Sequence, residues 1–522
     1  MKRYKVASLL LSVMLAVGLL VGCGGKNTNT DAKETTQPQQ QDTGTKEKEA
    51  QPSPVKEEPP TEISVMTMLW GEPPDVDKSP FFQELMKRTN TKLSIQMIPS
   101  NVIMEKLTLA LASRQLPDLV NNRNMYDPTI VNYINQGAFT DLSALLGDFS
   151  EFPNLKKIPQ QIWDNAKVNG KDYSIPNPRG LTNQSMMIRQ DWLDALGLPM
   201  PTTIDEYTNV LRAFKTKDPD QNGKDDTYGL NIATASMGAA GGTLAAAFGV
   251  HTPVVEDGKL LFSWMTSSYE DYLKYMKGLY DEGLVSKEYV VLKDNKTFYQ
   301  GKYGSIGIPL TSRFTYEEET KKLDPKINLV TIPPLQGPGG YASVIDIGYY
   351  GNFMIPASVS KEKAIKILKY LDRTYTDDIS DLRNYGIEGQ HYNVVDGKKV
   401  INQDAYTKDV GNIQITVGLF DPYSKAVNAK APDSVNEEQK KISDMYYEKA
   451  EPMDPISGLI SDTYLSRGSE IFKDRDTMVS KVVMGKAEMS EWTQYVDKMK
   501  ADPDVQKMMK EFYEQHELKT KK

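Results

Sequence analysis

The chain has 522 residues, 39% of them hydrophobic and 25% charged, with a formal net charge of −8 and a single cysteine. An acidic balance offers no electrostatic attraction to nucleic acid or to anionic lipid, so neither is an expected partner. One cysteine allows no internal disulfide, and the length exceeds what one hydrophobic core organises, so at least two domains are expected.

Residues 1–22 hold a basic start (Lys2, Arg3, Lys5), an uncharged apolar stretch from Val6, and the run Leu20-Val21-Gly22 directly before Cys23. That is the layout of a secretory signal with a small-residue cleavage site. The run resembles the bacterial lipobox, in which the cysteine after the cut takes a diacylglycerol; the apolar core is short for a span of about 20 residues. Cleavage removes three positive charges and no negative ones, taking the formal charge from −8 to −11. Residues 23–60 are rich in Gln, Thr, Lys, Glu and Pro and cannot bury enough apolar surface to offset the entropy of ordering, so they read as a lipid-anchored tether. A later uncharged segment, Gly229 to Val250, is too weakly apolar to insert well and reads as ordinary globular structure.

The body opens with Ile63–Leu69, a strand by composition, which breaks at Trp70-Gly71-Glu72-Pro73-Pro74. Ser79 and Pro80 then start a helix with Phe82, Leu85 and Met86 on one face. Leu93, Ile95 and Met97 alternate as a strand; Ile103, Leu107, Ala110 and Leu111 have helical spacing; Leu116–Val120 returns to a strand. This β-α-β-α-β order predicts a parallel, helix-covered sheet, with ligands at the carboxyl ends of its strands, where Trp70-Gly71-Glu72 and Asn121-Asn122-Arg123 stand. Further on, Thr203 and Glu206 form a capping box, and helical spacing recurs at Tyr272–Leu279 and Ala364–Leu371.

Five phrases in order carry a resemblance over nearly everything after residue 60. They are Glu105–Leu107 through Leu116–Val120; Gly170-Lys171-Asp172-Tyr173-Ser174-Ile175-Pro176; Arg189-Gln190-Asp191-Trp192-Leu193 with Leu196–Leu198 and Pro201–Thr203; Phe298–Gly307; and Gly386-Ile387-Glu388-Gly389 with His391-Tyr392. The chain resembles the extracellular solute-binding lipoproteins of ABC importers, in the large branch common in Gram-positive bacteria. The resemblance implies a periplasmic-binding-protein-like α/β fold: two lobes, a hinge and a ligand cleft between them. On that template residues 61–178 begin the N-terminal lobe, 179–345 the second lobe, 346–435 return to the first lobe and hinge, and 436–522 complete the second. It also implies a monomeric receptor on the outer face of the cytoplasmic membrane, delivering an oligosaccharide to permease subunits and their ATPase.

The sharpest local motif is Asp218-Pro219-Asp220-Gln221-Asn222-Gly223-Lys224-Asp225-Asp226. Side-chain oxygens at positions 1, 3, 5 and 9 (Asp218, Asp220, Asn222, Asp226), the Lys224 carbonyl at 7 and glycine at 6 suit hard Ca²⁺. Gly229 stands where an EF-hand has its glutamate, and Thr227 where related binding proteins carry an acidic residue; a plain Asp/Gly turn is the alternative. No catalytic constellation stands out: His251, His391 and His516 lie far apart, with no HExxH, no thiol nucleophile and no GxSxG elbow. Sugar faces stack on aromatics, and the cleft candidates are Trp70, Trp264, Tyr349 and Tyr350, with Glu72, Asn122, Arg123 and Asp346 as polar partners; Trp192 and Trp492 read as core. An oligopeptide receptor is the second reading and a secreted glycan-active enzyme the third.

Overall fold

The computed structural model describes residues 59–123, 125–232, 238–250, 254–292, 295–428, 430–450 and 459–520. Cys23, the signal, nearly all of the tether and His251 lie outside them. Strand β1 (Thr61–Trp70) runs parallel to β2 (Thr91–Pro99), in register from Thr61 opposite Thr91 to Leu69 opposite Pro99, and parallel to β3 (Leu119–Asn122) on its other side. The two crossovers are α1 (Pro80–Thr89), with Ser79 Oγ accepting from the Phe82 amide and Pro80 first in the helix, and α2 (Ile103–Ser113). Residues 116–118 precede β3 rather than belong to it.

Alternate residues of β1 enter two different cores. Ile63 and Val65 pack with Phe82 and Leu119, while Met66 and Met68 pack with Ile103, Leu107 and Val120. Burial on both faces is what a parallel sheet under helices requires. The sheet is completed by β4 (Ile175–Pro178) and an antiparallel strand, Tyr349–Met354, between β3 and β4, with Asn412–Ile413 against the end of β1.

A second, four-stranded sheet has the order Leu329–Thr331, Gln184–Arg189, Tyr303–Pro309, Tyr228–Asn231. Its largest core gathers Trp192, Tyr207, Phe214, Tyr272 and Trp492, drawing on the capped helix Ile204–Thr216 and on the C-terminal helices. The expected capping box at Thr203 and Glu206 is present, and the helix Ser267–Asp281 is capped by Thr266. In the uncharged segment, Tyr228–Asn231 is a strand and Gly238–Ala246 a nine-residue helix; among the described residues no helix is long and apolar enough to cross a membrane.

Among the described residues three stretches lead between the first sheet and the second body: 179–183, 342–348 and, into the helix Asp433–Lys449, 414–432. They are tied to one another by Arg179 N to Gly348 O (2.8 Å), Asp346 N to Leu181 O (2.7 Å) and Gly180 N to Ser424 Oγ (2.7 Å). A Cβ on Gly180 would lie 2.3 Å from the Pro422 carbonyl oxygen, so the approach of the first and third connections demands glycine. Past the third connection, Leu459 packs in the second sheet's core while Ile460 packs in the cluster of Met66, Val120 and Ile130.

Candidate solute cleft and acidic loop

Beyond the carboxyl ends of β1 and β3, the half-buried Trp70 and Tyr350 rings lie 6.1 Å apart at a 43° tilt. The Arg123 guanidinium is 5.8 Å from the Tyr350 centroid and the Arg179 guanidinium 5.0 Å. Arg179 Nη2 donates to Asp346 Oδ2 at 3.1 Å, and Asn183 Nδ2 donates to the same oxygen at 3.3 Å. Sequence positions far apart (70, 123, 179, 346 and 350) thus meet where the connections leave the first sheet.

Lys425, on the third connection, joins this group electrostatically. Burial and then the Arg179 charge bring its ammonium down to about 8, with Asp346 opposing. Behind the rings the backbone is lined with amides. Gln414 Nε2 and Asn177 Nδ2 both donate to the Tyr350 carbonyl, at 3.2 and 3.5 Å, and a Cβ on Gly351 would meet Gln414 Oε1 at 2.4 Å. Both amide atoms of the fully buried Asn121, together with Asn352 Nδ2, Gln414 Oε1 and Arg179 Nε, have no partner among the described residues. Buried polar groups are almost always satisfied, so such a concentration marks a place completed by water or ligand.

Four expected cleft residues stand elsewhere. Trp264 is 3% exposed, stacked on Phe262 and packed against Trp492 in the second core, because the turn Ser263–Met265 directs it inward. Tyr349 is also enclosed, donating to Asn165 O at 3.2 Å; it begins the strand, so its side chain takes the face opposite that of Tyr350. Asn122 is buried with its amide against the Met125 and Met354 sulfurs. Glu72 is exposed and lines a separate recess with Asp404, Thr407 and Lys408. Asp346 lies in a connection and is held by Arg179. Arg179, Gln414 and Lys425 escaped sequence reasoning, whereas Asn121 stood within the strand-end run Asn121-Asn122-Arg123. A cation just after the strand-ending Pro178 was the available signal for Arg179; Gln414 and Lys425 have none.

The motif phrases resolve into structural devices. Arg189 is 1% exposed and its guanidinium binds Asp191, Asp324 (2.6 Å) and Gly301 O while lying 4.6 Å from the Trp192 ring. His391 is fully buried, its Nδ1 accepting from the Ile387 amide at 2.9 Å and its Nε2 3.3 Å from Asp409 Oδ2; a Cβ on Gly386 would press on the imidazole at 2.5 Å.

The acidic loop follows the helix Ile204–Thr216. Asp218 accepts from the Asn222 and Gly223 amides at 3.1 and 2.9 Å, which lower its pKa, while burial and the neighbouring Asp218 raise that of Asp220. Asn222 Nδ2 donates to Asp220 (2.7 Å) and Asp226 (3.1 Å), Lys302 pairs with Asp226 (2.8 Å), and Asp220 Oδ1 is buried with no hydrogen-bond partner among the described residues. Among the described residues no three of His, Cys, Asp or Glu are gathered closely enough to hold a metal ion; here the carboxylates are drawn to Lys302, Asn222 and main-chain amides. The two departures from the calcium pattern have physical reasons. Thr227 turns inward to donate to Phe214 O at 2.7 Å, and a side chain on Gly229 would meet Leu211 Cβ at 2.8 Å, leaving no room for a glutamate.

Two α/β bodies joined by three crossing segments, with aromatic rings at the junction, define the class of two-lobed ligand-binding proteins. The chain belongs to the bacterial extracellular solute-binding protein family, whose sequence model matches residues 71–372. It is 31% identical over 443 residues to the polygalacturonan/rhamnogalacturonan-binding protein YtcQ of Bacillus subtilis, covering 84% of this chain and 87% of that one. Lipoprotein LipO of the same organism is 32% identical over 426 residues, covering 78% and 83%. The crystal structure of alginate-binding protein AlgQ2 without calcium ion superposes with a TM-score of 0.64 at 22% identity, covering 88% of this chain and 99% of that one.

Proposed function

We propose that this protein is a lipid-anchored extracellular receptor that captures an oligosaccharide and hands it to an ABC permease. The observation that carries this reading is the Trp70–Tyr350 pair at the junction of the lobes, flanked by two guanidiniums and by buried amide atoms with no partner among the described residues. Flat rings take the C–H faces of a sugar, and side-chain amides with arginine take its hydroxyls. Closure about the segments 179–183, 342–348 and 414–432 would present the loaded form to the permease, since ligand contacts to both lobes favour the closed state. The oligosaccharide-binding names of its relatives support the class of solute, and lipoprotein LipO supports anchoring through Cys23.

Thermal shift of the purified mature protein tests the solute class. A ligand at a hundred times its Kd stabilises the native state by about 2.7 kcal/mol. A shift with oligosaccharides and none with peptides is expected; the reverse establishes the oligopeptide receptor, and turnover of a labelled glycan establishes an enzyme. Loss of fatty-acid labelling in Cys23→Ala tests the anchor.

The loop at 218–226 belongs to the same reading. Asp218, Asp220, Asn222 and Asp226, with the Lys224 carbonyl, offer the hard oxygens Ca²⁺ takes, and the orphaned Asp220 Oδ1 is a carboxylate oxygen in want of a partner. Bound there, the ion would pin the loop and offset its crowded charges. The wild type should melt higher in millimolar calcium than in chelator, and Asp218→Ala should remove the difference; equal melting temperatures leave only an Asp/Gly turn.

A further inference from the structure

The charge around Tyr350 is unbalanced. Two guanidiniums lie against one ring, and the carboxylate that answers them, Asp346, is held by Arg179 and shared with Asn183. Arg123 is exposed and pairs with no carboxylate among the described residues. Arg179 has a buried Nε with no acceptor among the described residues, and its side chain is 18% exposed. Lys425 adds a third cation near Arg179, depressed to about 8 yet still mainly protonated at neutral pH. A tyrosine face offsets a cation only weakly at an exposed site, well short of a counter-ion.

Closure of the lobes makes this imbalance consequential. In the open cleft, water solvates Arg123 cheaply. Shut around a neutral sugar, the same guanidinium loses water and gains only hydroxyl acceptors, in a medium where like charges repel more strongly. A carboxylate on the sugar ring supplies what is missing. Its two oxygens match the planar fork of arginine, and such charge-assisted pairs are roughly twice as strong as neutral ones.

We propose that the cleft selects acidic saccharides, a ring carboxylate being taken by Arg123 with Arg179 and Lys425 reinforcing the positive field while the sugar face stacks on Trp70 and Tyr350. This deepens the oligosaccharide reading and rests on it. Asn121 and Gln414, buried with unpartnered amide atoms beside Gly351, lie behind this position and suit hydroxyls or a bridging water.

The test uses the mature protein and a matched pair of probes, a linear trigalacturonate and its fully methyl-esterified form, which share rings and linkage and differ in charge. Neutral xylo- and malto-oligosaccharides and a peptide panel complete the set, all measured by calorimetry. The acid should bind at least roughly tenfold more tightly than its ester at low salt, with the gap narrowing as salt rises. Arg123→Gln should bring the ratio to within about twofold, and Arg123→Lys should retain most of it. Arg123 is exposed, so unliganded melting curves of both variants should match the wild type. Equal affinity for acid and ester, or an undiminished preference in Arg123→Gln, overturns the inference. Binding of neutral oligosaccharides alone overturns it too but leaves the oligosaccharide receptor standing, whereas a response to peptides alone overturns both.

Discussion

Asp346→Asn tests whether the three connections are held together by charge. The carboxylate accepts from Arg179 at 3.1 Å and from Asn183 at 3.3 Å, both longer than the roughly 2.7–2.9 Å of an optimal charge-assisted bond. The paired side chains are 18% and 19% exposed. Breaking a fully buried pair costs about 3–5 kcal/mol and an exposed one about 0–1; long bonds and partial exposure place this loss near 2 kcal/mol. A second effect accompanies it. Lys425 already sits at about 8 because of burial and Arg179, with Asp346 as the opposing influence, so the variant lowers it further. A lysine depressed below its ordinary 10.5 is a burden while protonated in the fold. Between about 8 and 10.5 the unfolded chain keeps a proton that the folded one has released, so stability rises with pH across that window. The rise should begin below pH 8 in Asp346→Asn and vanish in Lys425→Met. Two lobes need not unfold together, so the first thermal transition is the quantity to follow, in a double-mutant cycle at pH 7. Lys425→Met should recover about 1 kcal/mol or more in the Asp346→Asn background. Strict additivity, or identical pH profiles for wild type and Lys425→Met between pH 7.5 and 10.5, would refute the charge-coupled junction.

Asp172, in the Gly-Lys-Asp-Tyr phrase, has its pKa raised to about 6 by burial, with Lys167 opposing and Asp164 and Asp141 adding to the rise. The folded form holds its proton longer than the unfolded, so this group's contribution is complete below about pH 4 and is lost as pH climbs through 6. Asp172→Asn should therefore melt higher than wild type at pH 7 and converge with it near pH 4, as followed by circular dichroism. Gly180→Ala places a methyl 2.3 Å from a main-chain carbonyl and must part the first and third connections. A loss of about 1–3 kcal/mol is expected, with a ligand-induced compaction in solution scattering smaller than that of the wild type; unchanged melting and compaction would contradict the tight crossing.

Much of the first lobe's beginning was legible because its signals are local. Ser79-Pro80 and, further along, Thr203–Glu206 act through bonds three residues long, and the nearly continuous apolar composition of β1 is what burial on two faces requires. The calcium-like spacing was equally plain, yet whether five oxygens converge depends on Lys302, 76 residues beyond Asp226 in another strand's approach, and on the space around Gly229. The candidate site was half legible. Trp70 and Arg123 could be nominated because strand ends point toward ligands in parallel sheets. Tyr349 and Tyr350 were indistinguishable until the strand's phase was known, since neighbours on a strand face opposite ways. Trp264 was misplaced for the same reason in a turn: no pattern in the sequence states which way a short helix at a core's edge will face.

By itself the sequence determined the order of the first strands and helices and the family, each written in short windows or in phrases kept in order. Only the tertiary structure decided which side chains meet. Arg179, Asp346 and Lys425 come from three separate connections, and their charges become one system solely because two lobes require three crossings through the same narrow junction. Coulomb interactions act through space and burial, and neither is a property of sequence neighbours.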